Sequence, residues 1–137
     1  MYLQGAGSTF TITGNSTRLL LEGNSASKGG GLFPTTGTAV SVLSGALVEV
    51  KDNTATSHGG GMYLIGAGTT LTVTGNSTHL LLVGNSASFG GGLFSISGAA
   101  VSVSSGAVIE AKDNTAFDQG GGMYLIGAGT TLTVTGN

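Results

Sequence analysis

The chain repeats itself. Met-Tyr-Leu occurs at Met1, Met62 and Met123, 61 residues apart each time, and triple glycines begin at Gly29, Gly59, Gly90 and Gly120, spaced by 30, 31 and 30 residues. The 61-residue unit is therefore two half-repeats, A (1–31, 62–92) and B (32–61, 93–122). The A halves share 24 of 31 residues, the B halves 19 of 30, and 123–137 copies 62–76 without a change. Units this short cannot bury an apolar face except against a neighbour, so the period dictates a solenoid or propeller. The chain reads as one repeat segment over 1–137, with coils 1–31, 32–61, 62–92 and 93–122 and a partial coil 123–137.

Local pattern selects among solenoids. Thr70-Leu71-Thr72-Val73-Thr74 and Ala100-Val101-Ser102-Val103-Ser104 alternate apolar and small or hydroxyl residues with the period of a half-buried strand. Gly, Thr, Ser and Asn make up 68 of 137 residues, 27 of them glycine, and each glycine opposes helix by about 1 kcal/mol. Each half-repeat offers about three short strands between turn signals, for example GGGMYLI, TTLTVTG and HLLLVGN. A WD40 blade needs about 40 residues and four strands, so one parallel β-helix coil per half-repeat fits better. Predicted columns of like residues are Met1, Leu32, Met62, Leu93 and Met123, and Tyr2, Phe33, Tyr63, Phe94 and Tyr124 facing the opposite way. Leu19, Val48, Leu80 and Ile109, with Leu21, Val50, Leu82 and Ala111, are predicted to face inward.

Composition excludes other classes. Four basic and six acidic residues, net −2, form no cationic cluster for nucleic acid or anionic lipid. Without cysteine there is no thiolate chemistry or cysteine-based zinc site. Apolar runs stop at three or four residues (Leu80 to Val83), against roughly 20 for a membrane span.

Each coil carries an Asn followed by a glycine run: LEGNSASKGGGLF (21–33), VKDNTATSHGGGMY (50–63), LVGNSASFGGGLF (82–94) and AKDNTAFDQGGGMY (111–124). These resemble the FxxN and GGA[ILV] repeats of the chlamydial polymorphic membrane proteins and similar large surface proteins, with Leu21, Val50, Leu82 or Ala111 in place of Phe. The resemblance implies an all-β, right-handed parallel β-helix used as an extracellular adhesin or surface stalk. The motif also has a physical reading. Asn24, Asn53, Asn85 and Asn114 recur once per coil at a turn, where each amide can bond the copies above and below, a structural ladder. The glycine runs lack the Lys-Ser/Thr of a phosphate loop, and an aromatic stands where a calcium-binding nonapeptide needs Asp.

Glu49, Lys51 and Asp52 recur as Glu110, Lys112 and Asp113, two coils or about 9.6 Å apart. Leu81 and Val83 stand between them, as expected of charge spacing on a stacked rod. Arg18, Glu22, Lys28, His58, His79 and Asp118 have no counterpart in other coils and read as drift, with the two histidines off any metal-ligand spacing. No catalytic, cofactor or metal residues are expected, since an active site is a unique constellation and almost every polar residue here is duplicated. Thr11 with Thr13, Thr72 with Thr74 and Thr133 with Thr135 form outward T-x-T pairs resembling those of β-solenoid ice-binding proteins. Ser41 with Leu43 and Ser102 with Ser104 interrupt that array on alternate rungs. Asn15-Ser16-Thr17 and Asn76-Ser77-Thr78 are N-glycosylation sequons at a turn found only in A coils.

Met1 belongs to the repeat and the last coil breaks off part-way, so the reading is an uncapped segment of longer repeats or a protomer of a filament, its partner being itself. The expected role is a non-catalytic extracellular rod, a surface fibre or adhesin shaft bearing covalent glycans. The alternatives are a binding module, for a host glycan or for ice, and, behind it, a polysaccharide-active β-helix enzyme.

Overall fold

The computed structural model of the chain describes residues 1–136. Its strands pair only in parallel, each with its equivalents one coil away, and there is no helix among the described residues. Sheet I stacks β2 (Thr9–Thr13), β6 (Ala39–Leu43), β10 (Thr70–Thr74), β14 (Ala100–Ser104) and β18 (Thr131–Val134). Sheet II stacks β3 (Arg18–Glu22), β7 (Leu47–Lys51), β11 (His79–Val83) and β15 (Val108–Lys112). Sheet III stacks β4 (Ser25–Lys28), β8 (Thr54–His58), β12 (Ser86–Phe89) and β16 (Thr115–Gln119). The fourth wall, sheet IV, joins β1 (Tyr2–Leu3) and β5 (Phe33–Pro34) to β9 (Met62–Ile65), β13 (Leu93–Ile96) and β17 (Met123–Ile126), with a Leu32–Met62 bridge between the two groups.

The parallel β-helix is thus the one the repeat predicts, but each coil has four strands where three were expected. The fourth, sheet III, follows the Asn corner and holds a single small inward side chain per strand, with Ala26 in register with Ala55 and Ala87 with Ala116. With so little to bury, the segment has no apolar alternation to announce it. The inward columns of the other sheets form one continuous core: Val42, Val48, Val50, Met62, Leu64, Leu71, Val73, Leu80, Leu82 and Leu93 are all buried. Each such side chain contributes roughly 1.5–3 kcal/mol.

The regular glycine spacing conceals compensating changes of length. Pairing offsets between the first two coils run 31 (Tyr2–Phe33), 30 (Thr9–Ala39), 29 (Arg18–Leu47) and 30 (Lys28–His58). The A coil is one residue longer at the corners on either side of β2, and the B coil is one longer in a bulge of sheet III.

At the triple glycines the backbones themselves touch. A Cβ on Gly60 would lie 2.5 Å from the Gly91 carbonyl oxygen and 2.6 Å from the Ser86 carbonyl carbon, distances no side chain tolerates.

Candidate functional site

The four walls expose four chemically different surfaces. Sheet II carries Arg18, Glu22, Glu49, Lys51, Glu110 and Lys112; Asp52 and Asp113 stand at the following corner, and Lys28 and Asp118 lie in sheet III. All ten charges of the chain are therefore on one side, and sheets I and IV have none. The register places Leu81 between Glu49 and Glu110, and Val83 between Lys51 and Lys112, so like charges are two rungs apart. Arg18 pairs with Glu49, Lys51 with Glu22 at 3.2 Å and Asp52 at 3.5 Å, and Lys112 with Glu110 at 2.6 Å. Hydrogen bonding to Glu22 and Glu110 raises the pKa of Lys51 and Lys112 respectively. Such solvated pairs contribute little to stability. Among the described residues no three His, Asp or Glu side chains converge on a point that could hold a metal.

Asn24, Asn53, Asn85 and Asn114 stand in one column between sheets II and III. The backbone N–H and side-chain Nδ2 of each donate to the Oδ1 of the next: 2.9 and 2.9 Å for Asn24 to Asn53, 3.0 and 3.0 Å for Asn53 to Asn85, 2.9 and 2.9 Å for Asn85 to Asn114. Nδ2 also reaches a carbonyl of the preceding coil, from Asn53 to Leu21 O at 2.8 Å, Asn85 to Val50 O at 2.8 Å and Asn114 to Leu82 O at 2.7 Å. Amides fully buried at Asn53 and Asn85 are thereby satisfied.

The sequon turns lie between sheets I and II, with Asn15 and Asn76 exposed. Thr17 donates to Thr13 O at 2.8 Å, whereas Thr78 is fully buried, donates to Thr74 O at 3.0 Å and accepts the Gly45 N–H at 2.8 Å. The hydroxyl of the sequon is thus also the pin of its corner. The Asn15 side chain lies over Gly45 of the next coil, and in the same way Thr36 covers Gly66 and Asp52 covers Gly84. A corner side chain on one coil fills the space its neighbour's Cβ would need. That alternation gives a physical reason for a repeat of two coils.

An aromatic seam runs along the glycine corner. Tyr2, Phe33, Tyr63, Phe94 and Tyr124 stack with centroids 5.0, 4.8, 5.5 and 5.3 Å apart. They face away from the core, yet Tyr63 and Phe94 are buried, because a second column from sheet III folds over them. His58 stacks on Phe89 at 5.3 Å and meets Phe94 edge-on at 4.7 Å, and the Lys28 ammonium sits 5.6 Å above the Tyr63 ring. Burial, then the Lys28 charge, depress the His58 pKa, and burial raises that of Tyr63. Sequence reasoning missed this satellite core, since its two columns meet only when the glycine corner turns back on itself.

Sheet I presents the T-x-T pairs. Thr11, Ser41, Thr72, Ser102 and Thr133 form one column, so its central line carries a hydroxyl on every rung, and the interruption lies beside it at Leu43. Ser104 bonds Thr74 at 2.8 Å and Ser102 bonds Thr72 at 3.4 Å.

No match was found among curated proteins or among solved structures. A family model described as a right-handed β-helix region matches residues 7–137, which settles the hand of the solenoid. That family holds both enzymes and proteins without catalysis, so membership assigns no reaction. Coil stacking, the Asn column and the family match agree, and the chain belongs to the right-handed β-helix family.

Proposed function

We propose that the chain is a non-catalytic segment of an extracellular β-helical rod, the shaft of a surface fibre or adhesin. One observation carries the reading: the polar surface is periodic. Glu49, Lys51 and Asp52 return as Glu110, Lys112 and Asp113, and the Asn column and hydroxyl rows recur on successive coils, whereas an active site is a unique constellation. The resemblance of the Asn and glycine motifs to chlamydial polymorphic membrane proteins supports a cell-surface setting. Glycans on the exposed Asn15 and Asn76 would hydrate a surface poor in charge.

The test is low-dose imaging of the native material with intact-mass analysis. The reading expects a filament or stalk rising about 9.6 Å per 61-residue unit, with hexose-bearing mass on Asn15 and Asn76. Isolated globules, or cleavage of a polysaccharide by the pure protein, would overturn it.

A further inference from the structure

The two corners that flank β10 are built alike. In Gly66-Ala67-Gly68-Thr69 and Gly75-Asn76-Ser77-Thr78 the threonine N–H donates to the carbonyl of the first glycine, at 3.1 Å in both. The threonine hydroxyl donates to the carbonyl just before that glycine, Ile65 O at 2.8 Å and Thr74 O at 3.0 Å. Thr69 and Thr78 are both fully buried. The corner thus requires its threonine but not an asparagine, because Ala67 stands where Asn76 does. Asn76 and Ser77 are exposed, so the second corner offers solvent an amide that the turn itself does not need.

Glycan transfer to that amide uses both ends of the sequon. A bond forms between Asn Nδ2 and C1 of the sugar as the C1–O bond to a polyprenyl pyrophosphate carrier breaks; the pyrophosphate leaves with that electron pair, and Nδ2 gives up one proton to it. The hydroxyl two residues on is what the N-x-S/T pattern supplies for recognition. In the folded chain the Thr78 hydroxyl is engaged on both sides, donating to Thr74 O and accepting the Gly45 N–H of the preceding coil at 2.8 Å. Reaching it means lifting coil 62–92 from coil 32–61. Thr17 makes the same bond to Thr13 O at 2.8 Å but is exposed, as are Asn15 and Ser16, so the first sequon presents amide and hydroxyl together.

We infer that folding itself closes Asn76 as a glycan acceptor: Asn76 is modified only before coil 62–92 stacks on coil 32–61, whereas Asn15 stays an acceptor in the folded chain. The inference rests on the glycan reading proposed above and adds the order of events to it. Occupancy at Asn76 then records how long its coil waits before stacking. A glycan once placed there is carried on an exposed turn of the finished rod.

The experiment gives the whole chain to a detergent-solubilised oligosaccharyltransferase with a polyprenyl-pyrophosphate oligosaccharide and reads each site by peptide mass spectrometry. Three presentations are compared: the folded parent, the parent diluted from urea into the reaction so that transfer competes with stacking, and Gly60→Ala, with circular dichroism reporting whether that variant is unfolded. Asn15 is expected to be modified in all three. Asn76 is expected to be modified in the diluted and unfolded chains, and at least about tenfold more slowly in the folded parent, where only local opening exposes Thr78. A folded parent that takes glycan on Asn76 as fast as on Asn15, or on neither while the unfolded chain takes it on both, overturns the inference. So does an Asn76 that stays bare in the unfolded chain. Glycan on neither site in any presentation removes the glycan reading as well, whereas equal transfer to both sites of the folded parent leaves that reading standing, so the two fail separately.

Discussion

The Oδ1 of Asn85 accepts both the backbone N–H and the side-chain Nδ2 of Asn53, each at 3.0 Å and from 32 residues earlier in the chain. One acceptor therefore closes the corner of another coil. Replacing Asn85 with Ala leaves the buried Asn53 backbone N–H without its acceptor and removes the bond to Val50 O, at a cost of about 3 kcal/mol. Asn24→Ala, at the exposed edge of the column, removes only its own side-chain bonds to Glu22 O and Asn53 Oδ1 and costs about 1 kcal/mol. Chemical denaturation of the two variants checks the ratio; equal losses would contradict the ladder's energetic role.

Glycines in the same motif differ in what they tolerate. Gly60→Ala drives a methyl into two backbones and is expected to abolish folding or cost more than about 4 kcal/mol. Gly122→Ala meets only the Ala111 methyl, at 3.6 Å and without a positive φ, and is expected to stay within about 1 kcal/mol of the parent. Thermal unfolding distinguishes them.

Ser95 is fully buried in sheet IV between Leu64 and Leu125, and its hydroxyl has no hydrogen-bond partner. Ser95→Ala removes an unsatisfied group without adding volume and is expected to stabilise by about 1 kcal/mol, read as a rise in Tm of several degrees. A fall in Tm would show that the hydroxyl is satisfied in solution.

His58 titrates with a known sign. Its folded pKa is depressed below 6.5 by burial against the seam and then by Lys28, so the unfolded chain binds the extra proton first. Its stabilising effect is full above the unfolded value and fades as pH falls through it toward the folded one. His58→Phe should flatten the stability profile as pH falls below about 6.5, relative to the parent. Lys28→Met should move the His58 midpoint upward in a chemical-shift titration; a downward movement would contradict the arrangement.

The corner alternation makes the coil pair the unit of growth. Duplicating residues 62–122 returns Asp52-type side chains to glycine-type neighbours and is expected to raise Tm. Duplicating 93–122 alone stacks a B coil on a B coil, with Glu110, Lys112 and Asp113 each directly on their own copies, and is expected to lower it despite the added length. Calorimetry of the two insertions decides between them.

From the amino-acid order alone the solenoid was legible: the inward columns Leu19, Val48, Leu80 and Ile109, the Asn register and the two-coil spacing of Glu49 and Glu110 are all local periodicities, and a stacked rod converts period directly into neighbourhood. Sheet III was not legible, because Ala26 or Ala87 alone on a strand gives no alternation. Nor was the seam: Tyr63 and Phe94 point away from the core and are buried only because His58 and Phe89 arrive from across a glycine corner whose backbone path no pattern encodes. The offsets that shift from 31 to 29 and back were likewise hidden, since glycine runs count residues and not the corners between them. Sequence determined which residues repeat, and therefore that coils stack and which side chains share a column. Tertiary structure alone decided which columns meet one another, because that depends on how each corner bends and on which side chain fills the space above the next coil's glycine.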